Sequence, residues 1–238
     1  MALAMSQPKP EPAGDPINAF FREALLIGGE ATRLYLVRHA QSAGNTGEDL
    51  TTGDPELTEV GREQARRLGE RFRRQKIDVI YSSPLRRTQE TAGYIASATG
   101  LDVIPKADLR EVELGREDHN IRLLSLEEQA KVEKRIIAEG TWDAFPGSEG
   151  SAAARGRIGN VIGEIVADHP GKRVVVVCHS AFIQTFISVV LGLPRDFVFY
   201  PFNSSINSVR AGVGRYVIWR LNDISHLDGL PAGFAGIS

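Results

Sequence analysis

A single cysteine in 238 residues, Cys178, leaves this chain unable to close an internal disulfide or to build a cysteine-ligated metal site. Its place directly after the run Val174 to Val177 marks it as a buried, reduced and inert thiol. Excess charge of either sign is also lacking. The formal net charge is -2, so no global cationic field draws nucleic acid or anionic lipid. No apolar run approaches the ~20 residues that span a bilayer. Met1 to Gln7 lacks the basic stretch and apolar core of a secretory signal. The motifs HExxH and GxxxxGK[ST] are absent as well. The expectation is a soluble, cytoplasmic protein with no membrane or nucleic-acid partner, no metal and no other cofactor.

What is present suits a globular α/β chain. Hydrophobic residues make up 42% and charged residues 24%, ordinary values for a packed domain. Residues 1–18 carry Pro8, Pro10, Pro12 and Pro16 among small and polar residues, which reads as a disordered tail. Ala19 to Ile27, with Phe20, Phe21, Leu25 and Leu26, reads as a short helix within an extension reaching residue 30. The main domain is expected over 31–228, and a flexible tail over 229–238.

Within that domain, strands and helices alternate. Leu34 to Val37 is a buried strand, and Thr58 caps a helix from Glu59 to Arg74. The arginines of this helix are interspersed with Glu59, Glu63 and Glu70, so it reads as a solvated face. Asp78 to Tyr81 is a second strand, followed by a helix with Ser83 as its cap and Pro84 in its first position. Leu101 to Ile104 forms a short edge strand, and Ser125 opens a capped helix to about Glu139. A helix from about Ala152 stops at His169, before Pro170-Gly171. The valine strand leads into an apolar helix from Ala181 to Leu191. Val209 to Leu221 is a hairpin about Gly212 to Gly214. His169 is expected as a dipole partner at its helix end, and Trp142 and Trp219 as packing aromatics. Together these elements predict a three-layer α/β/α sandwich around a mostly parallel sheet.

The chemistry collects at strand ends. Arg38-His39 follows the first strand, His179 follows the valine strand, and Arg86 and Arg87 open the helix after the second strand. In such sheets ligands bind outside the carboxyl ends of the strands. Guanidinium forks match phosphate oxygens, and imidazole can act as a covalent nucleophile. The residues alone therefore point to an anion site at the sheet edge.

Arg38-His39-Ala40-Gln41-Ser42, with Asn45 beyond, resembles the signature of the histidine phosphatase (phosphoglycerate mutase-like) superfamily, phosphatase branch. Further segments resemble it in order: Leu57-Thr58 with Gly61 and Gln64-Ala65; Ser82-Ser83-Pro84-Leu85-Arg86-Arg87 with Gln89-Glu90-Thr91-Ala92; Leu109 with Glu111 and Gly115; Val176 to His179; and Asn222-Asp223 with His226-Leu227. The resemblance implies a histidine acid-type phosphatase that cleaves phosphomonoesters through a phosphohistidine on His39. It implies that Arg38, Arg87 and His179 hold the phosphoryl oxygens, that Asn45 and Ser180 contribute to binding, and that Glu111 is the general acid, with Glu113 as the alternative. The spacing selects Arg87 over Arg86. Alanine and serine, Ala40 and Ser180, follow the two histidines where the family mostly has glycine.

Residues 112–150 are expected to form a lid that sets the substrate. They name none, leaving small phosphorylated metabolites, phosphoproteins and phospholipid headgroups open, along with the oligomeric state, a homodimer included. The rival readings are phosphoglycerate mutase-type transfer and a non-catalytic phosphate-binding protein of the same fold.

Overall fold

The computed structural model describes residues 16–27, 30–49, 53–115, 124–212 and 214–230, with only the backbone of 16–18. Residues 1–15 and 231–238 of the expected tails (1–18 and 229–238), and residues 116–123 of the expected lid, lie outside the described residues. Six strands form one sheet in the order β3-β2-β4-β1-β5-β6. β1 (Thr32–Arg38), β2 (Val79–Ser82), β3 (Val103–Pro105) and β4 (Arg173–Cys178) run parallel; β5 (Ile206–Gly212) and β6 (Arg215–Asp223) are antiparallel to their neighbours.

β4 sits between β1 and β2, and its valines supply both faces of the sheet. Val174 and Val176 pack with α6 (Ser151–Asp168) and α7 (Ser180–Val190), while Val175 and Val177 pack with α3 (Glu59–Arg73) and α4 (Arg86–Thr99). Alternation of side chains along a strand sends successive valines to opposite layers. A central strand therefore has to be apolar throughout, and the expected three-layer sandwich is what forms.

The boundaries correct several expectations. α1 (Pro16–Ala24) begins inside the stretch read as tail, with Pro16 in its first position, where its missing N–H costs nothing. Neither Ser83 nor Pro84 opens α4; Leu85 precedes its first residue. Ser83 stays with the sheet, its N–H donating to the Val177 carbonyl. The free Arg86 N–H is satisfied instead by the Asp54 carboxylate, at 2.8 and 3.1 Å. A cap from a distant loop has no local sequence signal. Trp142 packs in the core against Phe197, but Trp219 stands 50% exposed beneath the Arg210 guanidinium. His169 ends α6 and also ties it to β2 through the Tyr81 hydroxyl, 2.9 Å away.

α3 docks on the loop that follows β1, ahead of the one-turn helix α2 (Ala43–Thr46). A Cβ on Gly61 would collide with the Gln41 carbonyl, so only glycine permits this approach. Thr58 N donates to that carbonyl, and Gln64 Oε1 accepts from Gln41 N. The segment from Leu57 to Ala65 thus holds residues 40–42 in place. α5 (Leu126–Glu139) is closed by a Ser125–Glu128 capping box, as its sequence predicts. Among the described residues, no helix is long and apolar enough to cross a membrane.

Candidate active site

Arg38 and Cys178 are register partners, so His39 and His179 leave the sheet side by side. Their rings meet edge to face with centroids 5.4 Å apart. His39 Nδ1 lies 2.7 Å from the Ala40 carbonyl. A carbonyl only accepts, so Nδ1 carries the proton and Nε2 keeps a lone pair. Arg87 Nε donates to that Nε2 at 3.3 Å. Burial lowers the His39 pKa well below 6.5, and His179, Arg38 and Arg87 lower it further. The ring is therefore neutral at neutral pH, with a lone pair on Nε2 that is capable of nucleophilic attack.

His179 has the opposite tautomer. Its Nδ1 faces Arg87 at 3.3 Å and its Nε2 faces Ser83 Oγ at 2.9 Å. A guanidinium can only donate, so Nδ1 accepts and Nε2 carries the proton. Burial lowers its pKa well below 6.5, with Arg87 and Arg38 adding to the effect.

Two guanidiniums converge on these rings. Arg87 bridges both histidines, and Asp54 lies 3.6 Å from its outer nitrogen. Arg86, by contrast, is 61% exposed and pairs with Glu56 at 2.7 Å. Arg38 is buried, held by the Pro201 carbonyl at 2.7 Å and stacked over Tyr200. Among the described residues its Nε has no hydrogen-bond partner. An anion in the cavity would supply that acceptor.

Glu111 reaches the start of α7. Its carboxylate accepts from Val112 N and Phe182 N at 3.0 Å each, and from Ala181 N at 3.2 Å. Burial raises its pKa above 4.5, against the pull of these amides and of Arg87. It is thereby shifted toward the protonated form that an acid needs. Glu113 is exposed, and among the described residues only its backbone is engaged, with Glu149. Of the two candidate acids, Glu111 is the one at the cavity.

Asn45 Oδ1 accepts from Ser42 N, Ser42 Oγ and Asn203 Nδ2 at 3.0 to 3.1 Å. Three donors fix the amide's orientation and leave its Nδ2 as a donor on the cavity wall. The cavity measures 260 Å3, with Arg38, His39, Asn45, Arg87 and Glu111 among its lining. The rest of its described wall comes from residues 42–55, and none of it from 124–150. Ser180 does not line it; its hydroxyl accepts from Gln184 in the next turn of α7. Ala40 does not have positive φ and is fully buried against Leu57 and Ala65, so the position needs no glycine.

Several supporting residues escape the sequence reading. Ser83 orients His179, and Asn203 holds both Asn45 and the His39 carbonyl. Arg157 donates to the carbonyls of Asp108, Arg110 and Glu111 and pairs with Glu149 at 2.5 Å, fixing the Glu111 segment. Each acts across 46 or more residues of sequence except the local Arg157–Glu149 contact, so no spacing reveals them. Cys178 is buried beneath the site, and burial and Glu111 push its thiol pKa up.

Comparison with known proteins gives the family. The model of the histidine phosphatase superfamily (branch 1) matches residues 34–224. Phosphoserine phosphatase 1 of Hydrogenobacter thermophilus is 33% identical over 198 residues, covering 82% of this chain and 94% of that protein. A Salmonella choleraesuis protein named a probable phosphoglycerate mutase, GpmB, is 31% identical over 205 residues, covering 82% and 95%. The structure of an Entamoeba histolytica phosphoserine phosphatase variant in complex with phosphoserine superposes with a TM-score of 0.70 at 26% identity, covering 82% and 99%.

Proposed function

The chain belongs to the histidine phosphatase superfamily, and we propose that it is a phosphomonoester hydrolase in which His39 accepts the phosphoryl group. The observation that carries this reading is the Nδ1 contact of His39 with the Ala40 carbonyl, which leaves Nε2 as the nucleophilic atom. Nε2 attacks phosphorus as the ester P–O bond breaks, and Glu111 gives its proton to the departing alkoxide. Water then attacks the phosphohistidine. Glu111, now ionised, takes the water's proton, and inorganic phosphate leaves with His39 restored. Arg38, Arg87 and Asn45 donate to the equatorial oxygens, whose charge grows and spreads in the transition state. His179 joins them once its Nδ1 is protonated. The charge stabilisation comes from these side chains, so no metal takes part.

The named relatives suggest a small phosphorylated metabolite as substrate, and the probable mutase among them supports one alternative: return of the phosphoryl group to a substrate hydroxyl. Hydrolysis of an aryl phosphate, phosphoserine and 3-phosphoglycerate is the test, for wild type and His39→Ala, with and without EDTA. The proposal expects phosphate release indifferent to EDTA, no activity in the variant, and an acid-labile phosphoprotein trapped only in wild type. Activity that survives His39→Ala or vanishes with EDTA overturns the mechanism. Interconversion of phosphoglycerates without phosphate release selects the mutase reading.

A further inference from the structure

At the end of the sheet away from the histidines, Arg33 of β1 stands in register with Arg173 of β4 on one side and Arg210 of β5 on the other. Register partners share a sheet face, and like charges placed directly opposite destabilise a sheet. Burial, Arg33 and Arg173 together lower the Arg210 pKa. Arg71, Arg74 and Arg220 join Arg33 and Arg173 around one groove of 360 Å3. The single carboxylate among its described lining, Asp223, is committed to Arg220 at 2.8 Å and Arg71 at 3.6 Å. Among the described residues the guanidiniums of Arg33, Arg74, Arg173 and Arg210 have no carboxylate partner, that of Arg173 donating to the Lys76 carbonyl at 3.3 Å, and Arg71 Nε is buried with no hydrogen-bond partner. The chain as a whole is slightly acidic, so this concentration is local.

We infer that this groove is a second binding site, for a small anion bearing a chain of two or three phosphates, either free or within a nucleotide. Its lining carries a formal excess of four positive charges, which one phosphate monoester does not balance. Its volume is that of a small-molecule site. Trp219, half-exposed on the groove wall, offers an aromatic surface to a base if the ligand has one. Arg33 and His39 are six strand steps apart, about 20 Å at the strand rise, so the two anion sites are distinct.

Titration of the full chain with tripolyphosphate at low salt, read by Trp219 fluorescence and by melting temperature, tests the inference. Saturable one-to-one binding is expected, weakened about tenfold or more by Arg33→Thr and by Arg74→Ala and reduced by added salt. Neither substitution changes hydrolysis of an aryl phosphate. Arg33→Thr also raises the melting temperature of the ligand-free protein, because it relieves the cross-strand repulsion, while abolishing the rise caused by tripolyphosphate. ATP binding more tightly than tripolyphosphate identifies a nucleotide as the source of the chain, and equal affinity identifies the phosphate chain alone. Three results overturn the inference: no saturable binding, binding lost in Arg87→Ala but kept in both groove variants, or a single-stranded oligonucleotide outcompeting both small ligands.

Discussion

Replacing Glu111 by glutamine separates two things that its carboxylate does. One oxygen accepts from Val112 N and Phe182 N, and the glutamine oxygen can keep both bonds. The other accepts from Ala181 N at 3.2 Å, where the glutamine NH2 would meet a second donor. That leaves one buried N–H unsatisfied, at a cost of about 1–3 kcal/mol. For a chain of this size the melting temperature should fall by about 2 to 12 °C. The catalytic loss should depend on the leaving group. An alkyl phosphate needs its oxygen protonated, so about 10² to 10⁴ in turnover should disappear. A nitrophenyl phosphate departs as a stable anion and should lose far less. The pH profile has a matching signature. Wild-type activity should fall at high pH as Glu111 loses its proton, at a pKa that burial raises, and at low pH as His39 gains one, at a pKa that burial lowers. The glutamine variant should lose the alkaline limb of the alkyl phosphate reaction and keep the acid limb. Equal losses on both substrates, or an unchanged alkaline limb, would refute the assignment of Glu111 as proton donor.

The arginine pair offers a contrast within one turn of helix. Arg87→Ala should lose about 10² or more in kcat/KM, because it removes donors from the phosphate cradle, whereas Arg86→Ala should stay within a few-fold; equal losses in aryl phosphate assays would mean the two were assigned wrongly. His179 Nδ1 is unprotonated without ligand but must donate to a phosphate oxygen, so phosphate binding should take up a proton. Calorimetry in buffers of different ionisation enthalpy should show this uptake, and affinity should weaken as pH rises; no buffer dependence near pH 7 refutes it. Arg157→Ala strips three hydrogen bonds from the Glu111 segment and leaves Glu149 half-paired, so a stability loss of about 3–5 kcal/mol is expected by denaturant titration, with the alkaline limb of the activity profile displaced. An intact profile would show that Arg157 supports the fold alone. Asn45→Ala should raise KM more than it lowers kcat, and should cost about 1 kcal/mol through the lost Ser42 contacts.

Local patterns carried much of the fold. The Thr58 cap, the Ser125 capping box, the valine strand and the glycine-bounded hairpin are properties of neighbouring residues, so they can be read before anything folds. The same is true of two strands that each deliver a histidine at their last step. Where the reading failed, the competing partner was distant in sequence. Ser83 looks like a helix cap from its neighbours, but its hydroxyl serves His179, 96 residues away. Asp54 then caps α4 across 32 residues. The basic stretch of α3 reads as a solvated face on its own; only beside β1, β4 and β6 does its end become one wall of a cationic groove.

The sequence by itself determined which chemical groups the chain can offer: two histidines and two arginines at strand ends, two candidate acids in one loop, and an order of motifs that resembles one superfamily. Tertiary structure decided how those groups behave. It set β4 beside β1 so that the histidines touch, put Glu111 rather than Glu113 at the cavity by docking it on α7, and gave the two rings opposite tautomers through Ala40 and Ser83. The physical reason is that periodicity and capping act over a few residues. Desolvation, register and hydrogen-bond polarity are instead set by whatever packs alongside, however far away it lies in the chain.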